Sequence, residues 1–211
     1  MNALPTILLS LSLLGSPDSD PGWIVAIETS DGITVSTRDK PNTEVKEIRA
    51  VGLINAPAEA VWKVLRDYQK YPERIPYVEV SEVVAPQDGG PVMWVYQRIT
   101  APFLAKRDYT LKITDDSKWE NGQGFFKSSW TTAPDKGPPP KPDVVRLRTV
   151  DGFWKLEPRN GGKRTFATYY LVTDPGGAMP KFLANQANCT AMPDVFRAFR
   201  RYSTSSKEGV K

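Results

Sequence analysis

The sequence predicts an α+β domain: strands, one short helix, a long antiparallel run and a single long helix at the end. Three observations predict it. Apolar residues alternate with a period near two across residues 78–172, the spacing of strands with one covered face. Turn-forming pairs divide that region at hairpin distances. One apolar stripe at steps of three and four crosses residues 178–202, as a helix lying on a core requires.

The chain has 211 residues, enough for one domain with a sizeable core. Hydrophobic residues make up 40% and charged residues 25%, the balance of a soluble globular protein. Histidine is absent, which removes Ser-His-Asp and Cys-His catalysis and the commonest metal ligand. Carboxylate and lysine chemistry stay open. The single cysteine, Cys189, makes neither an intramolecular disulfide nor a multi-cysteine metal site. No metal ion and no cofactor are expected. The net charge of +4 is scattered. Basic doublets occur at Lys106-Arg107, Lys163-Arg164 and Arg200-Arg201 but never extend into a run, so no nucleic-acid partner is expected.

Residues 4–14 are mostly apolar, too few to span a bilayer as a helix but suited to the core of a secretory signal peptide. The expected organisation is a signal peptide over 1–16, a linker over 17–22, one domain over 23–203 and a disordered tail over 204–211. The expected setting is the periplasm or the exterior, with the cytoplasm as the alternative. Residues 23–28 form a short helix or strand. Residues 33–37 alternate as a strand after the Asp31-Gly32 turn. In a further strand Val45, Glu47, Arg49, Val51 and Leu53 share one face and Ile48, Ala50 and Ile54 the other.

A helix should start at Ala56-Pro57-Ala58-Glu59, where proline suits the first turn and the acid suits the positive dipole end. Ala58, Val61, Trp62 and Leu65 make its buried face. The proline-broken residues 68–75 form a second short helix or a turn. Strands follow over 78–84, 92–99, 107–114, 124–131, 144–156 and 165–172. Gly89-Gly90, Asp115-Asp116, Asn121-Gly122 and Asn160-Gly161-Gly162 supply turns. Residues 134–142 hold five prolines and form an exposed loop. The last helix carries Ala178, Phe182, Asn185, Cys189, Met192, Phe196 and Phe199 on one stripe, with a kink expected at Pro193.

Three segments resemble the START (StAR-related lipid transfer) branch of the helix-grip, or SRPBCC, superfamily in its bacterial single-domain form. They are Asn55-Ala-Pro-Ala-Glu-Ala-Val-Trp-Lys-Val-Leu with Asp67-Tyr68 and Tyr71-Pro72; Ala101-Pro102-Phe103-Leu104-Ala105-Lys106-Arg107-Asp108-Tyr109; and Tyr170-Leu171-Val172-Thr173-Asp174-Pro175-Gly176-Gly177 with Met179-Pro180-Lys181-Phe182-Leu183 and Asn185. The likeness covers roughly residues 23–203. It implies a curved antiparallel sheet wrapped around the C-terminal helix, with a hydrophobic cavity between them. It implies a lipid, sterol or similar guest, held for carriage or sensing. It also places a gate at Pro102, Phe103, Leu104, Gly176, Gly177 and Met179.

On that reading the ligand-binding candidates are Arg107, Trp94, Tyr96, Tyr109, Trp130, Phe182, Asn185, Cys189 and Met192. Arg107 shares a strand face with Tyr109, Leu111 and Ile113. It either meets a polar ligand head or reaches water at the strand end. Asp108 points the other way, towards a surface or structural pair. Arg49 and Arg98 touch ligand or stand on a solvated face. Asn185, on an apolar stripe, must find a hydrogen bond: a ligand hydroxyl, a water or nearby backbone. Phe182, Met192 and Phe196 serve as core or as pocket wall. Phe103 and Leu104 cover the cavity mouth, dip into a membrane or pack on neighbouring loops.

The expected partners are a hydrophobic small molecule and, transiently, a membrane, for a monomer that is not an enzyme. The alternative is an aromatase or cyclase acting in the same cavity. A protein-interaction role for the proline-rich loop is the third reading.

Overall fold

Alternation in the first strands shows how the sheet is built. β1 (Ile24–Glu28), β2 (Ile33–Asp39) and β3 (Lys46–Ile54) pair in sequence as antiparallel neighbours. Ile33 and Val35 of β2, and Ile48, Ala50 and Ile54 of β3, point into the core, while Arg49 and Leu53 point outward. The computed structural model describes residues 21–85, 90–100, 105–174, 176–177 and 179–205. The leader, most of the linker, the Gly89 turn position, Pro102, Phe103, Leu104, Pro175, Ala178 and the tail beyond 205 lie outside the described residues.

α1 (Ala58–Arg66) begins after Pro57, carries Glu59 in its first turn and buries Ala58, Val61, Val64 and Leu65. One 3-10 turn (Tyr68–Lys70) and α2 (Tyr71–Arg74) follow. The Tyr71 hydroxyl donates to the Leu65 carbonyl at 2.6 Å and ties α2 back to α1. β4 (Val78–Ala85), β5 (Val92–Ile99), β6 (Arg107–Asp115), β7 (Lys118–Glu120), β8 (Gln123–Thr132), β9 (Val145–Arg146), β10 (Thr149–Arg159) and β11 (Arg164–Asp174) complete the strands. α3 (Lys181–Ser205) ends the fold.

The strands run β1-β2-β3-β11-β10-β8-β6-β5-β4 across one curved sheet, with β7 pairing β8 and β9 pairing β6. β9 is parallel to β6, and all the other pairings are antiparallel. The α+β helix-grip class expected from the sequence is the class observed.

Three details differ from the sequence reading. The strand expected over 144–156 is split into β9 and β10 around the buried Leu147. A short strand, β7, precedes the Asn121-Gly122 turn, whose two residues both have the positive φ of a two-residue hairpin loop. α3 starts at Lys181, because a residue before proline is kept out of the helical region and Met179 precedes Pro180. α3 continues unbroken through Pro193. It lies on α1, β2, β3 and β11. Phe196 and Phe199 are sunk into the core against Trp154, with ring centroids 5.6 and 4.9 Å away. Burial of each such ring contributes about 1.5–3 kcal/mol.

Candidate functional site: the chamber beneath the last helix

Sheet register assembles the chamber wall in rows. On the inner face Thr173 of β11 stands beside Val150 of β10. The next row inward is Leu171, Gly152 and Trp130, and the one after is Tyr169, Trp154 and Ser128. Successive rows lie about 6.5–7 Å apart, two strand residues each. Gly152 shapes the middle row. A Cβ there would fall 2.7 Å from Trp130 Cζ2 and 2.3 Å from the Tyr170 carbonyl oxygen. Only glycine lets the Trp130 indole lie across β10. Trp154 and Tyr169 stack in parallel with centroids 4.5 Å apart, and Trp130 tilts towards Tyr169 at 6.1 Å.

These rows, with Tyr109, Leu111 and Ile113 of β6 and Asn188, Val195 and Phe199 of α3, enclose a chamber of about 180 Å³. No Asp, Glu, Lys or Arg is among its described lining residues. A mouth of about 460 Å³ adjoins it between β6 and the first turns of α3. Tyr77, Ile99, Leu147, Thr173 and Asn188 line both spaces, so the two are neighbours.

Several polar groups of the chamber are already satisfied. The Tyr109 hydroxyl donates to Gln97 Oε1 at 3.0 Å, and Gln97 Nε2 donates to Ser81 at 3.1 Å. Burial pushes Tyr71, Tyr109 and Tyr169 well above the ordinary phenol range, so all three stay neutral at physiological pH. Three buried polar atoms, Trp130 Nε1, Ser128 Oγ and Thr173 Oγ1, have no hydrogen-bond partner among the described residues. Ser128 lies beside the Tyr68 hydroxyl without completing a hydrogen bond to it.

The candidates from the sequence fall into several groups. Tyr109 and Trp130 line the chamber. Arg107 and Met179 line the mouth. Arg107 donates to the Ala105 carbonyl at 2.6 Å, and burial lowers its pKa. Gly176 and Gly177, both with positive φ, turn the chain between β11 and α3 beside Val145.

Trp94 and Tyr96 do not line the chamber. Val95 and Gln97 take the inner face of β5, so alternation sends Trp94 and Tyr96 to the outer one. There the Tyr96 hydroxyl donates to Asp108 at 3.1 Å. Asp108 is 1% exposed and holds Arg146 through bonds of 2.6 and 3.0 Å, while Arg146 also donates to the Pro138 carbonyl. The proline-rich segment therefore covers the outside of β5 and β6. Arg49 stacks over Trp23 at 4.3 Å, and Arg98 pairs with Glu79, both on the outer face.

The α3 candidates are also displaced from the chamber. Cys189 and Met192 are buried in the core outside its lining, and Phe182 is exposed to solvent. Asn185 fastens the helix to the chain before β3: its amide donates to the Glu44 carbonyl at 2.9 Å and accepts from the Lys46 N–H at 3.1 Å. The chamber is faced instead by Asn188 and Val195, and the mouth by Ala184, Asn188 and Ala191. This stripe lies one residue round the helix from the expected one. Ser128, Trp154, Tyr169 and Thr173 were not singled out from sequence, although the alternation that places Trp130 inward places them too.

Residues 54–200 match the family described as polyketide cyclase/dehydrase and lipid transport. The chain belongs to this family. Among solved structures, a STAR-related lipid transfer protein from Xanthomonas axonopodis is 28% identical, with a TM-score of 0.76 over 87% of this chain and 99% of that one. Human StAR-related lipid transfer protein 5 is 18% identical, with a TM-score of 0.76 over 90% of each chain. An aromatase/cyclase from Streptomyces is 15% identical, with a TM-score of 0.52 over 78% of this chain and 94% of that one. The last two show likeness of fold alone. An uncharacterized Pseudomonas aeruginosa protein is 26% identical over 182 residues, 84% of this chain and 85% of its own length. The family member described here thus has the START-like helix-grip fold, whose architecture points to a hydrophobic ligand.

Proposed function

We propose that the protein takes a lipid, sterol or similar hydrophobic molecule into the chamber beneath α3 and holds it for carriage or sensing. The observation that carries this reading is a partly enclosed, aromatic-walled chamber without a charged residue among its described lining, next to a mouth beside the start of α3. Transfer of apolar surface from water into such a space yields about 25 cal/mol per Å². The chamber of about 180 Å³ is smaller than the ~300–1,000 Å³ of ordinary small-molecule sites. A guest of lipid size therefore extends from the chamber into the mouth.

The aromatase/cyclase alternative has less support. Among the described residues, tyrosines are the only ionisable side chains in the chamber lining, and burial holds Tyr109 and Tyr169 far from the neutral range where general acid–base groups work.

Native mass spectrometry tests the proposal. Protein stripped of lipid, then incubated with a mixture of neutral lipids, fatty acids and sterols, should carry one guest per chain. A species that stays bare across the whole mixture overturns the binding reading.

A further inference from the structure

The three unpartnered atoms of the chamber are not scattered. Thr173 Oγ1, Trp130 Nε1 and Ser128 Oγ occupy three successive rows of the inner face, on β11, β8 and β8. They descend from the shared boundary with the mouth, where Thr173 stands, towards the stacked Trp154–Tyr169 pair. Buried polar atoms in native proteins rarely go unsatisfied. The residues that carry them line the hollow, and a guest that opens the surroundings of these closed-off atoms supplies the missing partners.

Their chemistry is selective. An indole N–H only donates, so the group opposite Trp130 must accept. The hydroxyls of Thr173 and Ser128 both donate and accept. The indole is also held in place: Gly152 leaves no Cβ between it and β10, and Tyr169 lies against it. A donor fixed in this way favours an oxygen at one depth in the chamber.

Charge narrows the class further. Among the described residues, the chamber lining has no Lys or Arg to neutralise an anion and no Asp or Glu to neutralise a cation. Burial of an unpaired charge there is strongly unfavourable. Arg107 is the only charged residue among the described residues lining the mouth. A charged end is therefore disfavoured in the chamber.

Resting on the binding reading above, we infer that the chamber selects an uncharged apolar molecule carrying a hydrogen-bond-accepting oxygen, such as a ketone, ester or ether, and that Trp130 Nε1 is the group that recognises it. Thr173 meets a second polar atom of the guest nearer the mouth. Hydrocarbon portions fill the space between aromatic rings.

Three chains of equal length test this: 2-nonanone, nonane and nonanoate. Each competes with the neutral fluorophore N-phenyl-1-naphthylamine for the wild-type protein and for Trp130→Phe. The wild type should bind 2-nonanone about five- to tenfold more tightly than nonane, the effect of one buried neutral hydrogen bond. Nonanoate should bind more weakly than the ketone. In Trp130→Phe the ratio of ketone affinity to nonane affinity should fall to about one, whatever the change in nonane affinity itself, and a native-like circular dichroism spectrum and urea midpoint show that the variant is folded. The indole N–H resonance of Trp130 should shift on addition of ketone and stay in place on addition of nonane. Equal affinity of the wild type for ketone and alkane overturns the inference and leaves the binding reading standing. Nonanoate binding as tightly as the ketone overturns the requirement for an uncharged guest. Failure of the fluorophore and all three chains to bind overturns the binding reading itself.

Discussion

The two ends of α3 are held in opposite ways. At the C-terminal end Phe196 is 0% exposed, packed on Trp154, with its ring edge over Gly52. Arg197 and Arg200 both grip Asp31 at 2.9–3.0 Å, and Arg200 also donates to the Leu53 carbonyl. At the N-terminal end Phe182 is 68% and Leu183 45% exposed. That end follows two glycines of positive φ and is moored by Asn185 and by the Lys181–Asp174 ion pair. Apolar burial is thus concentrated at one end, and the mouth opens at the other.

Hollow volume alone would have pointed to the wrong end. A groove of about 820 Å³ runs past Asp31, Arg164 and Arg200, larger than the chamber but open. Its Asp31, Arg197 and Arg200 join α3 to β2 and β3. The chamber is smaller, less open and incompletely hydrogen-bonded, the features that favour it as the candidate site.

The largest effect expected from this contrast is on stability. Phe196→Ala should lower the free energy of unfolding by about 3–5 kcal/mol, through lost burial and the cavity left behind. Leu183→Ala, at the other end, should cost less than about 0.5 kcal/mol. Urea unfolding of the two variants measures both. Similar losses would mean that the ends are equally anchored.

A smaller effect should localise to the mouth. Asn185→Ala removes the bonds to Glu44 and Lys46, whose backbone groups are only part-buried and can turn to water, a cost of about 0.5–1.5 kcal/mol. Amide hydrogen exchange should accelerate in the first turns of α3 while the turns around Phe196 keep their protection. Uniform acceleration along α3 would show that the helix moves as one body.

Much of the architecture was legible because alternation reports which strand face is covered. β6 was read correctly, with Arg107, Tyr109, Leu111 and Ile113 sharing one face and Asp108 facing away. β5 was not, for a physical reason. Arg146 and the proline-rich segment cover its outer face, so Tyr96 is buried on that side while Val95 and Gln97 are buried on the other. A strand covered on both faces loses the polarity difference that reveals its orientation. In α3 the stripe through Asn185, Cys189, Met192 and Phe196 was found because it is the most apolar. That stripe packs solidly. The neighbouring stripe through Ala184, Asn188, Ala191 and Val195 is less apolar because it faces a hollow. The chamber itself depends on one packing relation, Trp130 across Gly152, which strand periodicity does not encode.

The smallest expected effect concerns acid stability of the anchored end. Hydrogen bonds from Arg197 and then Thr29 hold the Asp31 carboxyl well below its ordinary range. Its folded-state value is therefore lower than the unfolded value of about 3.9. The stabilisation is complete above that unfolded value and is lost as the pH falls towards the folded one. The window lies below about pH 4. Asp31 keeps 38% side-chain exposure, so solvent screening limits the contribution to about 1 kcal/mol or less. Asp31→Asn should be slightly less stable than the wild type at pH 7, and the gap should shrink at pH 3. Glu47 and Asp174 also have lowered values, but they titrate alike in both proteins and drop out of the difference. A gap that stays constant between pH 7 and pH 3 would show that the Arg197–Asp31 clasp does not act through the carboxylate charge. The anchoring of α3 would then rest on Phe196 and its apolar neighbours alone.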